Sequence, residues 1–410
     1  RATTEVKSAQ TFQYLIMTTS TPVKKQRLPA IDLFRGLTIL AMLVVNEIHA
    51  LHGTPAWLKH VAANQDGMSF ADLIFPAFLF ITGLAIPASG KAELRFSHFV
   101  TIIQRSAALI VLGLFMVNAE AGFQAEAMLI SPQLWAILSL LGCYLIWGAW
   151  PASPANYRTM LRPLGIASLL ILACLYQDGS GKISAMQTQW WGILGLIGWA
   201  YLLCASLYTL TRQRPILFIL LQLALLILLA LEGPASLQPL KPHLSHSLIM
   251  LAGIMTYEIL HGTWTIRFGS AQADKPTPTP TFLIMLMLAV FYFAAAQLAH
   301  AYFPYSKIAA TLPWIFASSG FCCVAYALVH ACCLHSDWHQ RCSWLLRAAQ
   351  NALLCYTLPY LLYPALQLLG WHYPWLAADF YSGSLMIAVY ALLLMGLAAY
   401  AHQRGIRWQI

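Results

Sequence analysis

Charge is scarce in this chain. Only 9% of its 410 residues are Asp, Glu, Lys or Arg, against about 25% in an ordinary soluble domain. Hydrophobic residues make up 60% and recur in long runs from residue 31 to the end. That excludes a soluble enzyme, a disordered chain and a disulfide scaffold, and leaves a polytopic helical membrane protein. No basic face interleaved with aromatics stands out. The net charge of +9 therefore does not speak for nucleic acid, since cytoplasmic loops of membrane proteins collect Lys and Arg. A compact signal-peptide pattern is missing ahead of the first run. A convincing internal repeat is missing too, which counts against many secondary transporters. Long outer loops are also missing, so any chemistry falls to residues within the membrane or at its rims.

The nine cysteines lie in apolar runs or in the loop after residue 329, which favours reduced thiols over a disulfide framework. His330, Cys332, Cys333, His335, His339 and Cys342 are metal-binding in type. Their spacing matches no strong zinc pattern, so no metal is expected.

A bilayer core takes about 20 apolar residues per helix. The runs fall at 31–50, 70–89, 98–118, 131–150, 162–177, 191–211, 215–232, 245–263, 281–301, 309–330, 349–369 and 381–402. The expected fold is an all-α transmembrane bundle of about 10–12 spans. In the loops of one side the basic residues are Lys59, Lys182, Lys241 and Lys307 alone, out of 23 in the chain. That bias predicts both termini in the cytoplasm and an even span count. Residues 1–27 read as a cytoplasmic tail, with Met17 a candidate start. Residues 28–410 read as the membrane domain, with a stiff linker at 274–280 as a candidate division.

The segment 28–90 is the informative one. Asp32 and Arg35 are three apart and share a helix face, either as a functional pair or as an ion pair fixing the end of the span. The first span exits at Asn46-Glu47-Ile48-His49. The loop then runs through Trp57, Lys59, His60 and Asp66 to Ser69 and Asp72, which resemble a capping box. Pro76 cannot bond to the carbonyl of Asp72, and a free carbonyl at membrane depth must face protein or water. The outer mouth of the second span is therefore expected to line a cavity within reach of His49, His60, Asp66 and Asp72. The imidazole of His60 can take a proton from an attacking amine or hydroxyl.

Three stretches carry a resemblance: Arg27-Leu-Pro-Ala-Ile-Asp-Leu-Phe-Arg-Gly36, Trp57-Leu-Lys-His60, and Asp66-Gly-Met-Ser-Phe-Ala-Asp-Leu-Ile-Phe-Pro-Ala-Phe-Leu-Phe-Ile81. They resemble the opening of the heparan-α-glucosaminide N-acetyltransferase catalytic region, most closely in its bacterial multi-pass relatives. Ser306-Lys307 through Thr311 and Trp314, Ser318-Ser-Gly320, and Asn351-Ala-Leu353 with Tyr356 resemble the same group. The resemblance implies transfer of an acetyl group from cytosolic acetyl-CoA to the amino group of a terminal glucosamine on the other side. It implies His60 as the catalytic histidine, a glycan or amino-sugar acceptor, a homodimer and, by the short loops, a bacterial inner membrane. One departure is Asp66-Gly67 where the family motif has Asn-Gly, which touches the acceptor more than the reaction.

On this reading His60 is the general base, Asp66 or Asp72 orients it or binds sugar hydroxyls, and Asn46 and Asn351 donate to the thioester oxygen or the sugar. Arg35, Arg105, Lys24, Lys25 and Arg347 are candidates for the CoA phosphates. A tunnel beside the first two spans is required to bring the thioester to His60. Asn351 equally suits an interhelical hydrogen bond. Glu258 reads as a structural ion-pair partner, Glu120 and Glu126 as solvated loop residues, and Trp57, Trp190, Trp191, Trp371 and Trp375 as an interfacial belt. Two alternatives stay open: a sugar or small-solute transporter without chemistry, and an O-acyltransferase of an envelope polysaccharide.

Overall fold

The computed structural model describes residues 28–89, 94–149, 155–181, 185–212, 214–231, 235–261, 278–334 and 341–408. Its α-helices are α1 (Pro29–Ile48), α2 (Ala71–Ala88), α3 (Phe96–Glu120), α4 (Pro132–Trp147), α5 (Ala155–Leu175), α6 (Gly192–Thr211) and α7 (Pro215–Ala230). They continue as α8 (Lys241–His261), α9 (Pro278–His300), α10 (Leu312–Cys333), α11 (Ser343–Ala349), α12 (Ala352–Leu368) and α13 (Phe380–Gln403). Each apolar run read from the sequence carries one of them. The run at 349–369 starts with a break, because Asn351 leaves the helical region at φ −119° and ψ 39° between α11 and α12.

The starts follow local chemistry. Proline occupies the first turn of α1, α4, α7 and α10, where a missing amide hydrogen costs nothing. The Ser131 hydroxyl accepts from the Leu134 amide at the head of α4. The Asp379 carboxylate accepts from the amides of Tyr381 and Ser382 at the head of α13. Among the described residues, six helices are long and apolar enough to cross a membrane, namely α2, α3, α6, α9, α10 and α13. Four shorter apolar helices accompany them. The protein is an all-α integral membrane protein.

Polarity and position are coupled. α1 holds Asp32, Arg35 and Glu47, and α8 holds His246 and Glu258. Both are interior helices, buried along most of their length, so their polar groups meet protein rather than lipid. α9 is the opposite case: Leu283, Met287, Val290, Phe291 and Leu298 are exposed along it, an outward apolar face suited to lipid. α1 packs against α2, α10, α11, α12 and α13. α2 packs against α8, and α3 against α6. The α2–α8 crossing is made at Gly83 and Gly253. A Cβ on Gly83 would stand 2.0 Å from the Met250 carbonyl oxygen, and one on Gly253 would stand 2.2 Å from that of Phe80.

The loops sort onto two rims. On one, the Gly67 amide donates to the Tyr305 carbonyl and the Gln124 amide to that of Gln177, while His52 bridges Asp379. On the other, two-residue strands β1 (Gly148–Ala149) and β2 (Arg407–Trp408) pair antiparallel, and Leu345 of α11 covers Gly36. The first rim carries His60, Lys59 and Lys307. The second carries Arg35, Arg95, Arg212, Arg214, Arg341, Arg347, Arg404 and Arg407.

Candidate active site

The site starts from a proline. Pro76 lies inside α2 and offers no hydrogen to the carbonyl of Asp72. The indole N–H of the fully buried Trp314, in the first turn of α10, donates to that carbonyl at 3.3 Å. The freed backbone group is thus satisfied by protein, and α2 and α10 are tied together at the level of the Asp72 side chain.

That side chain is 1% exposed. One carboxylate oxygen accepts from the Val61 amide at 3.2 Å, the Ser69 amide at 3.2 Å and the Ser69 hydroxyl at 3.1 Å. The Ser69 hydroxyl donates rather than accepts, so only half of the expected capping box forms. The second oxygen lies 2.8 Å from Nδ1 of His60. A buried carboxylate with this many donors is held in place. The His60 ring, 48% exposed, is held at one nitrogen. With Nδ1–H donating to Asp72, Nε2 keeps its lone pair and can accept a proton.

Lys307, from the loop between α9 and α10, completes the cluster. Its Nζ stands 3.1 Å from His60 Nδ1 and 3.7 Å from the Asp72 carboxylate. Burial pushes the Lys307 ammonium below the usual lysine range, and the neighbouring Asp72 draws it part of the way back.

His60 lines a cavity of about 750 Å³ bounded by α1, α3, α4 and α12, within the range of ligand pockets; the mouth of α2, where the sequence led us to expect a cavity, and Asp66 and Asp72 do not line it. Its walls include Asn46, Glu47, Glu120, Gln133, Tyr360 and Gln367. The Trp375 indole donates to Glu47 at 3.3 Å, and Glu120 stands on the wall with Tyr360. The cavity reaches down α1 to Met42. Arg35 lies seven residues further along the same helix, about 10 Å at 1.5 Å per residue.

The other residues named from the sequence are dispersed. Asn46 is exposed on the cavity wall. Asp66 turns away from His60: it accepts from the Tyr305 amide at 2.7 Å and lies 2.9 Å from His300 Nε2. Those bonds hold its carboxyl below the usual carboxylate range, His300 contributing most. Arg35 pairs with Asp32 at 2.8 Å, and Arg347 donates to the Ser343 hydroxyl at 3.2 Å. Both stand on the second rim where α11 meets α1. Arg105 is on α3, which packs chiefly on α4 and α6. The Asn351 amide donates to the Ala398 and Ile406 carbonyls, and its oxygen accepts from the Trp408 amide, so it ties α12 to the C-terminal segment. Lys24, Lys25, His335 and His339 lie outside the described residues, as does most of 274–280.

Two readings change. Glu120 ends α3 on the cavity wall rather than in a loop. Trp375 is buried and bonded to Glu47 instead of joining an interfacial belt. The structural reading of Glu258 gains a partner, since its carboxylate accepts from the Tyr208 hydroxyl. Lys307 lay in a stretch of the resemblance, but nothing in the sequence assigned it a role at the site. The wall of α12 did: Tyr356, Tyr360 and Tyr363 recur at four and three residues, one face of a helix. Among the described residues no group of three or more His, Cys, Asp or Glu is placed to hold a metal ion.

Comparison with known proteins agrees with the resemblance noted above. A family model described as a domain of unknown function (DUF5009) matches residues 27–251. Heparan-alpha-glucosaminide N-acetyltransferase of Homo sapiens is 37% identical over 98 residues, 22% of this chain and 14% of the human protein. The Mus musculus protein of the same name matches at the same identity and coverage. The matched stretch is thus a small part of those curated relatives.

Proposed function

The chain belongs to the DUF5009 family, and from that premise we propose that it is a membrane acetyltransferase. It moves an acetyl group from acetyl-CoA to the amino group of a glucosamine-type sugar. The observation that carries this reading is the Asp72–His60 pair: an imidazole fixed at Nδ1 by a buried carboxylate, with its ring on the wall of a cavity large enough for a sugar. A transporter has no need of a tautomer-fixing carboxylate.

His60 Nε2 takes one proton from the sugar ammonium, leaving a neutral amine. The amine nitrogen attacks the thioester carbonyl, the C–S bond breaks, and the second nitrogen proton leaves as the amide forms. The sum is ammonium plus acetyl-CoA giving amide, CoA thiol and one proton. Asp72 holds the ring and its tautomer through the cycle. Asn46 donates to the oxygen that gains charge.

On this reading the arginine-rich second rim is the cytoplasmic one, supported by the charge bias of membrane loops, with both termini inside and His60 on the outer side of a bacterial inner membrane. Arg35 and Arg347 present guanidinium groups there for the CoA phosphates. The thioester reaches the cavity floor across the stretch of α1 between Arg35 and Met42.

The test is purified protein with labelled acetyl-CoA and a panel of amino sugars, compared with His60→Ala. Acceptor-dependent CoA release by the wild type alone supports the reading. Sugar uptake into vesicles without CoA release overturns it in favour of transport.

A further inference from the structure

The cavity beside His60 has a charge character that the acetyl-transfer reading alone does not require. Two carboxylates, Glu47 of α1 and Glu120 of α3, stand on its walls, and no Lys or Arg is among the described residues that line it. Glu47 is oriented by the Trp375 indole, and Glu120 shares the wall with Tyr360. A carboxylate accepts at two oxygens with about four lone-pair sites, so both retain acceptor capacity for a ligand. Lys307 is engaged with Asp72 behind the His60 ring and is not one of the lining residues.

The rest of the wall suits a pyranose. Tyr356, Tyr360 and Tyr363 from α12 and Tyr373 from the following loop line it, and Tyr373 is stacked on Trp375 at 4.3 Å. Aromatic faces cover the apolar face of a sugar ring, while Gln133 and Gln367 supply amides for its hydroxyls.

We infer that this cavity selects an unsulfated, uncarboxylated amino sugar in its ammonium form, with Glu47 and Glu120 as the specificity-determining residues. A sulfate or uronate would bring a negative charge beside two carboxylates on a wall that carries His49 and His60 but no Lys or Arg among the described residues. A neutral N-acetyl sugar would leave the carboxylates without a counter-charge. This inference rests on the reading of the cavity as the acceptor site, and it adds a reason for product release. Acetylation replaces the ammonium by a neutral amide, so the walls that drew the substrate in have less hold on the product.

Binding without acetyl-CoA tests it. Glucosamine, N-acetylglucosamine and glucosamine 6-sulfate are titrated against purified full-length protein in lipid nanodiscs, and against Glu47→Gln and Glu120→Gln. Glucosamine is expected to bind at least about tenfold tighter than either other sugar, a difference of about 1.4 kcal/mol. The Gln variants are expected to lose that preference while retaining N-acetylglucosamine binding, which also shows that their cavity is intact. Equal binding of the sulfated sugar, or a preference that survives both substitutions, overturns the inference. Glu47→Asp is the second variant should Glu47→Gln not fold, and it is expected to keep the preference. Ammonium selectivity without any acetyl transfer would sink the acetyltransferase reading and leave this one. Equal acetyl transfer to sulfated glucosamine would do the reverse.

Discussion

The indole N–H of Trp314 donates to the main-chain carbonyl of Asp72 at 3.3 Å, the carbonyl that Pro76 leaves without an intrahelical donor. A residue of α10 thereby finishes a helix that proline interrupts, next to the carboxylate that holds His60. Trp314→Phe removes the donor and leaves a buried carbonyl unpaired, a cost of about 1–3 kcal/mol. Adding Pro76→Ala restores an amide donor within α2. Thermal unfolding in detergent should show the double variant less destabilised than the sum of the two single ones. Simple additivity would mean that this hydrogen bond contributes nothing distinct.

Asp72→Asn keeps the shape of the side chain but removes its charge and alters which tautomer of His60 is favoured. Acetyl transfer to glucosamine is expected to fall by about 10²-fold or more in kcat, with KM changed far less. Asp66→Asn, whose side chain bonds to His300 and Tyr305 instead of His60, is expected to leave kcat within about twofold, the scale of a surface substitution. A parallel collapse in both variants would contradict the division of roles between the two aspartates.

Lys307 gives a pH prediction. Its folded-state value lies below the ordinary 10.5 because of burial, with Asp72 opposing. Between the folded value and 10.5 the unfolded chain binds more protons than the native one, so stability rises with pH. The gain is complete above 10.5 and is lost as pH falls through the lowered value. Wild-type protein should therefore gain in melting temperature relative to Lys307→Met as pH climbs toward 10.5. A constant difference between the two across that range would show that Lys307 titrates normally. Asp66 works in the opposite pH region: its lowered value contributes stability above the ordinary 3.8 that is lost as pH falls below it.

Gly83→Ala probes the α2–α8 crossing. The added methyl would meet the Met250 carbonyl oxygen at 2.0 Å, so the two backbones must separate. A loss of about 1–3 kcal/mol is expected from such overpacking, read as a lower melting temperature. Gly396→Ala on α13, where nothing lies within 4 Å of the added carbon, is the control and should leave stability nearly unchanged.

Much of this protein was legible in its residues. Apolar runs of bilayer length fix where helices stand, because in lipid the backbone must satisfy itself within each segment. Pro76 announced a stranded carbonyl, and His60 and Asp72 lay close enough in sequence to be joined by one short loop. Other features had no local signal. Lys307 comes to His60 across 247 residues, and such a contact depends on how α9 and α10 dock. Asp66 was drawn to His300 by the same docking. Glu120 looked like a loop carboxylate until the end of α3 was placed on the cavity wall that α12 and Tyr360 also line. Local hydrophobicity and backbone chemistry are properties of consecutive residues, so the sequence by itself determined where the helices stand and singled out the candidate base. Which charged groups share a cavity depends on the packing of helices distant in sequence, so only the tertiary structure decided that His60 is paired with Asp72 and faces two glutamates.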